Sequence, residues 1–227
     1  MNVESREQAK TEVRRMAADL TAGTDHETYA VPRSTRTTGW WPSPGPTSTA
    51  RLDREMGDAV PGDVSELLRG LDEGSAVVAI GAAGSGKSTA AAAARALGYT
   101  VISLDELRRE VSPRRDAGDQ SATRPAVAAQ NALFDEALSA GKSVYLDSTN
   151  VEGHVRAGLI EQARRHGRTV VALRFLPGLS ICQVRNAARQ DSRRVPEDVL
   201  AWQYVGARNA TEAVLLAEGF TAVHDVG

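Results

Sequence analysis

The stretch AVVAIGAAGSGKST, residues 76–89, decides how the rest of the chain is read. Five apolar residues, Ala76–Ile80, have the character of a buried strand. The eight that follow, Gly81-Ala82-Ala83-Gly84-Ser85-Gly86-Lys87-Ser88, satisfy Gly-x-x-x-x-Gly-Lys-Ser/Thr at every fixed position. Gly81, Gly84 and Gly86 let the backbone turn through conformations closed to other residues, so that successive N–H groups point inward at an anion. Thr89 and the alanines behind it start a helix, whose N-terminus adds about half a positive charge at the same point. A glycine-rich turn by itself would be an ordinary loop. Flanked by strand and helix, and carrying Lys-Ser, it predicts a phosphate-binding loop in which Lys87 reaches the terminal phosphates and the Ser88 hydroxyl ligates Mg²⁺.

Composition bounds what surrounds this loop. The chain has 227 residues, 41% of them hydrophobic, which suits one α/β domain with an appendage. A formal net charge of −2 provides no global attraction to nucleic acid or to a membrane, so any polyanion site has to be a local cluster. Cys182 is the single cysteine, which excludes an intramolecular disulfide and a multi-cysteine zinc site and suits a reducing compartment. The first residues are too polar for a signal peptide and no apolar run reaches a membrane span, so the expectation is a soluble, cytoplasmic protein.

Taken in order, Val3 to about Leu20 suits one amphipathic helix, and Thr21–Thr49 shifts to Thr, Ser, Pro and Gly as a linker or arm. Trp40-Trp41 within it is either an anchor of that arm or a base-stacking platform. Val60–Leu71 resumes a helical pattern. The division expected is an N-terminal extension over 1–74 and a catalytic-type domain over 75–227. Within the latter, strands are predicted at Ala76–Ile80, Tyr99–Ser103, Ser143–Leu146, Val170–Phe175 and Thr221–His224. Helices fall between them at the loop, at Ala126–Ala140, at Val155–Arg165 and as one long helix after Pro196, with a polar loop over Val111–Arg124 and a basic segment over Cys182–Arg194. This alternation predicts an α/β fold with a parallel sheet covered on both faces, a P-loop architecture whose ligands bind beyond the carboxyl ends of the strands.

Those ends carry the remaining chemistry. Asp105 follows the second strand, with Arg108 three residues on and therefore on the same helical face. A carboxylate beside a cation there suits a transferase, the Asp accepting the proton of an attacking hydroxyl and the Arg holding an anion; the competing reading is an N-cap Asp with a solvated Arg. Asp147 ends the third strand, where an acid can steer Mg²⁺ through water, and Thr149 and Asn150 behind it either touch the substrate or cap the next helix. Arg185, Arg189, Arg193 and Arg194 recur at about one helical turn, with Arg185 and Arg189 expected on one face; they form a lid over about 182–195 or merely a solvated basic helix.

These residues resemble the four signatures of the 5′-hydroxyl polynucleotide kinase family, in that family's order: Gly81 to Thr89, Leu104-Asp105-Glu106-Leu107-Arg108, Leu146-Asp147-Ser148-Thr149-Asn150, and Arg185-Asn186-Ala187-Ala188-Arg189 leading to Val195-Pro196-Glu197. The resemblance covers about Ala76 to Gly227. It implies Asp105 as general base, Arg108 on a phosphate of the acceptor strand, Arg185 and Arg189 as lid groups on the donor phosphates, and Lys87 and Ser88 as the family's loop pair. The expected nucleotide-binding set is Gly81, Ala83, Gly84, Ser85, Gly86, Lys87, Ser88 and Thr89 with Arg185 and Arg189. Arg108, Asp147, Thr149 and Asn150 are expected at the acceptor, and Ser88 at the metal. ATP and Mg²⁺ are the implied cofactors and a DNA or RNA 5′ end the implied partner. No Asp-x-Asp-Gly-Thr phosphatase motif accompanies the kinase signatures. Small-molecule kinases and zeta-type toxins share the loop and an acidic base, and an ATP-gated interaction module is the reading from outside enzymes.

Overall fold

A computed structural model describes residues 64–190 and 193–226; the helix expected at Val3–Leu20, the Thr21–Thr49 arm and Trp40-Trp41 lie outside the described residues. In chain order the elements are α1 (Val64–Arg69), β1 (Ala76–Ile80), α2 (Lys87–Ala96), β2 (Thr100–Ser103), α3 (Leu104–Val111), α4 (Thr123–Ser139), β3 (Val144–Asp147), α5 (Gly153–Arg165), β4 (Val170–Phe175), α6 (Leu179–Ala187), α7 (Glu197–Asn209), α8 (Glu212–Glu218) and β5 (Ala222–Val226).

The strands form one parallel sheet in the order β2-β3-β1-β4-β5. All of β1 is buried, as a central strand must be when helices cover both faces. Its alternate residues serve opposite layers. Ala76, Val78 and Ile80 join Phe134 of α4, Leu159 of α5 and Leu215 of α8, whereas Val77 and Ala79 join Leu68 of α1 and Ala90, Ala91 and Ala94 of α2. The alanine run after the loop therefore has a packing reason, since small side chains bring α2 close against the sheet. From β1 the chain runs to the far edge at β2, returns to β3, and then crosses β1 to reach β4 and β5. The connections diverge at β1, and the crevice beyond the strands' carboxyl ends opens at that point.

Several boundaries differ from the sequence reading, each for a local reason. Asp147 pairs with Ser103 in the β2–β3 ladder, so β3 extends one residue past Leu146. Helix α4 starts at Thr123 because Pro125 sits in the first turn, where its missing N–H has no partner to lose. The single long helix after Pro196 is in fact two. Ala210 leaves helical geometry, and the Thr211 side chain accepts a hydrogen bond from the Val214 N–H to start α8. The basic segment begins as helix before Cys182 and ends at Ala187, leaving Arg189 beyond it. Among the described residues no helix is long and apolar enough to cross a membrane.

Tyr145 ties the sheet to the loop from below. It is fully buried in β3, and its hydroxyl donates to the Lys87 carbonyl at 3.1 Å, at the first turn of α2. Tyr145→Phe should keep the fold and lower stability by about 1 kcal/mol, a fall of roughly 2–4 °C in Tm for a chain of this size. Thermal melting followed by circular dichroism checks this, and an unchanged Tm would show that the hydroxyl contributes nothing.

Candidate active site

At the carboxyl end of β1 the chain enters Gly81–Ser88. Gly84 and Gly86 hold φ of 80° and 107°, in the left-handed region that favours glycine. Gly81 does not; it is glycine for want of room, because a Cβ there would lie 2.6 Å from the Ser85 hydroxyl and 2.8 Å from the Phe175 carbonyl. Its N–H donates to the Thr149 carbonyl at 3.0 Å, which hangs the start of the loop on the end of β3. Helix α2 begins at Lys87, two residues earlier than expected, with Gly86 as its N-cap.

Lys87 lies beneath this loop, 8% exposed. Its Nζ donates to the carbonyls of Gly81 at 2.9 Å and Ala82 at 2.7 Å and to the Ser85 hydroxyl at 3.3 Å. Burial takes its pKa down to about 8, against the pull of the Asp147 carboxylate and with a smaller push from the Arg189 guanidinium.

Two carboxylates act on it electrostatically, from the end of β3 and from just past the end of β2. Asp147 ends β3, and burial raises its pKa against the opposing effects of the Lys87 charge and a hydrogen bond from the Ser88 hydroxyl, with Asp105 and Glu106 raising it further. Asp105 sits in the first turn of α3. Ser103 occupies the N-cap position there, so capping does not account for Asp105. Its Oδ1 accepts from Arg108 Nη1 at 2.8 Å and its Oδ2 from Arg193 Nη2 at 3.4 Å. Arg108 is only 17% exposed, its Nε donating to the Thr123 hydroxyl at 3.2 Å, which removes the reading of a solvated arginine.

Residues 77–208, more than half of the chain, match the family described as AAA domain. The chain belongs to the AAA domain family. Among solved structures it is similar to the AvrRxo1-ORF1:AvrRxo1-ORF2 complex with sulphate ions, at TM-score 0.52 and 15% identity over 72% of this chain; it spans 58% of that chain's length. It is also similar to a putative kinase from Chloroflexus aurantiacus J-10-fl, at TM-score 0.50 and 14% identity, covering 68% of this chain and 89% of that one. At such identities these likenesses show the fold, a P-loop kinase-like one. No curated protein matches the chain.

The last groups of the AAA domain site come from its C-terminal third. Arg185, exposed at the end of α6, donates from Nη1 to the Gly84 carbonyl at 3.3 Å. Arg189 is half-buried, and burial is the main cause lowering its pKa, followed by the Arg193 charge, with Asp105 and Asp147 acting in the other direction. Arg185 and Arg189 do not share a helical face as expected, because α6 has ended; they approach the loop from different backbone settings.

Thr149 and Asn150 cap nothing, since α5 begins only at Gly153 behind Glu152. Thr149 contributes its carbonyl to Gly81. Asn150, 3% exposed and at φ 47°, turns its amide inward, donating to the Ala79 carbonyl at 2.8 Å. Its own carbonyl accepts from Arg156, which pairs with Glu218 at 2.6 Å. Asn150 thus braces the edge of β1 through its Nδ2, while its buried Oδ1 accepts no hydrogen bond among the described residues.

Gln203 was invisible in the sequence. Its Oε1 accepts from the Ala83 N–H at 2.9 Å, from helix α7 and 120 residues away. Ala83 therefore turns its N–H to α7, away from the expected role toward a phosphate. Ala82 and Ala83 lie in a small core with Cys182, Leu200 and Tyr204, so the variable positions of the motif anchor the loop on α6 and α7.

The Lys87 shift has a consequence for stability. The folded chain releases this proton near 8 and the unfolded chain holds it to 10.5, so between those values the unfolded state binds more protons and stability rises with pH. Relative to Lys87→Met, which cannot titrate, the wild type should gain up to about 3 kcal/mol between pH of about 8 and about 10.5. Urea unfolding of both proteins on either side of that window checks it, and a constant difference would mean that the ammonium is not held out of water.

Proposed function

We propose that this protein transfers the γ-phosphoryl group of ATP to a hydroxyl, with the 5′-OH end of a nucleic acid as acceptor. The observation that carries the reading is Asp105. A carboxylate held in two ion pairs at the end of β2, and sensed electrostatically by Lys87 and Asp147 at the ends of two other strands, is what an acceptor base requires and what a simple nucleotide switch does not. In this reading Asp105 takes the hydroxyl proton as the acceptor oxygen bonds to the γ-phosphorus and the bond to the bridging oxygen breaks, leaving ADP. Lys87 and the loop N–H groups hold the phosphates, while Arg185 and Arg189 meet charge that grows on them in the transition state. Mg²⁺, when bound, supplies further neutralisation of the β- and γ-oxygens. The Ser88 hydroxyl and the Asp147 carboxylate are hard oxygen donors that suit it.

The nucleic-acid acceptor is supported by cations beyond those needed for ATP. Arg108 lies beside the proposed base, and Arg109, Arg114 and Arg115 follow in the chain with exposed side chains. A small-molecule hydroxyl is the second reading. It is favoured by Arg108 and Arg193 both being engaged on Asp105, which leaves less cationic charge for a strand.

Labelled ATP offered with 5′-OH DNA and RNA oligonucleotides, a 3′-phosphorylated mononucleoside and a panel of small hydroxyl compounds, at two salt concentrations, separates these. Transfer to oligonucleotides should dominate and weaken as salt rises, because phosphate contacts release counterions. If a small molecule alone is labelled, the second reading replaces the first. If ATP binds and nothing is labelled, the protein is an ATP-gated interaction module.

Two variants test the assigned roles. Asp105→Asn should lower the rate by ~10²-fold or more with ATP affinity nearly unchanged, since the amide cannot take a proton. Arg189→Ala should lower it by roughly 10³, the scale of a lost transition-state arginine. Equal losses of ATP affinity and rate in Asp105→Asn would indicate a structural or metal-holding role instead.

A further inference from the structure

The Arg-Asn-x-x-Arg motif has given roles to its two arginines and none to Asn186. That residue is 4% exposed at the end of α6, and both halves of its amide are spent on one residue nine positions ahead. Nδ2 donates to the Val195 carbonyl at 2.8 Å, and Oδ1 accepts from the Val195 N–H at 3.1 Å. The side chain thus pairs with Val195 as a peptide group pairs with its neighbour in a sheet. The backbone carbonyl of Asn186 accepts from the Arg189 N–H at 3.1 Å. One residue therefore grips both the start and the end of the segment that carries Arg189.

Arg194 grips the same neck from the other side. Its Nη2 donates to the carbonyl of Ala187 at 2.9 Å and to that of Arg189 at 3.4 Å. The Ala187 carbonyl ends α6, where the helix leaves acceptors unpaired and its dipole favours a cation, and the Arg189 carbonyl lies two residues beyond. Behind the neck lies a cavity of about 550 Å³, lined in part by Asn186, Arg194, Val195 and Leu200. Val195 packs against the small core that holds Cys182, Leu200 and Tyr204, and the polar contacts of Asn186 and Arg194 tie the two ends of the neck to each other.

We propose that Asn186 and Arg194 are positioning residues that fix the backbone of Arg189, so that its guanidinium stands in the cleft before any phosphate arrives. This rests on the reading of Arg189 as a group that meets transferring phosphate. Neither residue touches that phosphate; both act through Arg189. An arginine on an unpinned segment would have to be ordered during each turnover, and one on a closed neck is ordered in advance. The effect belongs to kcat. Binding of ATP rests on Lys87 and the loop N–H groups, whereas the Asn186 amide is spent on Val195.

The test combines three measurements on the full chain and on Asn186→Ala, Asn186→Asp and Arg194→Ala. Trypsin cleavage at Arg189 and Arg193 should be about tenfold faster in Asn186→Ala than in the wild type, because opening of the neck exposes those bonds locally, with Tm lowered by only a few degrees. The transfer rate kcat should fall by about 10²-fold, the scale of a displaced catalytic group, while the Kd of a fluorescent ATP analogue changes by less than about threefold. Asn186→Asp keeps the acceptor for the Val195 N–H, loses the donor, and should fall between wild type and Asn186→Ala. Arg194→Ala, an exposed position, should move the same readouts in the same direction by less. The proposal is overturned if Asn186→Ala is cut at the wild-type rate, or if kcat and ATP affinity fall together. Should Asn186→Ala fail to fold, Arg194→Ala decides by the same criteria. Should the wild type transfer phosphate to nothing, the proposed function fails, and the trypsin comparison still decides the neck.

Discussion

The ammonium group of Lys87 is held almost entirely out of water, and each oxygen that makes this tolerable belongs to the loop it sits beneath. The carbonyls of Gly81 and Ala82 and the hydroxyl of Ser85 accept its three hydrogen bonds. A buried cation without such partners would lose its proton or unfold the site. Here the penalty is only partly offset, as the fall of its pKa to about 8 shows. A cation in that condition favours an arriving anion, since a phosphate oxygen restores what burial removed. The affinity of the loop for phosphate thus begins as an unrelieved cost in the folded chain.

Around that charge the site alternates in sign. Asp147 stands between Lys87 and the Ser88 hydroxyl, and Asp105 between Arg108 and Arg193. Each carboxylate comes from the end of a different strand. The parallel register is what gathers them, because β1 pairs with both β3 and β4, and β2 pairs with β3 through Ser103 and Asp147. Parallel strands all end on the same side, so charges distant in sequence meet at one edge.

The loop and the C-terminal helices form one packed unit. The Cβ that Gly84 lacks would lie 2.7 Å from the Cys182 carbonyl, and Ala82 and Ala83 share a core with Leu200 and Tyr204. The segment bearing Arg189 therefore leaves and rejoins helices that are themselves fixed against the phosphate-binding loop. Its neck at Asn186 and Val195 completes the connection.

Much of this was legible in the chain itself. The bounds of β1 and β4 were read residue for residue, because a buried strand between punctuating residues is a local pattern. Lys87 and Ser88 followed from a motif whose spacing encodes its own geometry, and the proximity of Asp105 to Arg108 followed from helical period. Where a contact spans the fold, the chain was silent. Gln203 reaches Ala83 across 120 residues and Arg193 reaches Asp105 across 88, and no local periodicity marks either. The helix that breaks at Ala210 carries apolar periodicity past its true end, and the one that stops at Ala187 is followed by arginines at helical spacing, so only packing decided them. Asn150 shows the division within a single residue. Its sequence suited a cap or a ligand contact, and the fold buried it with its Nδ2 on the Ala79 carbonyl, because a buried amide donor goes to whichever unpaired backbone group the tertiary fold brings within reach.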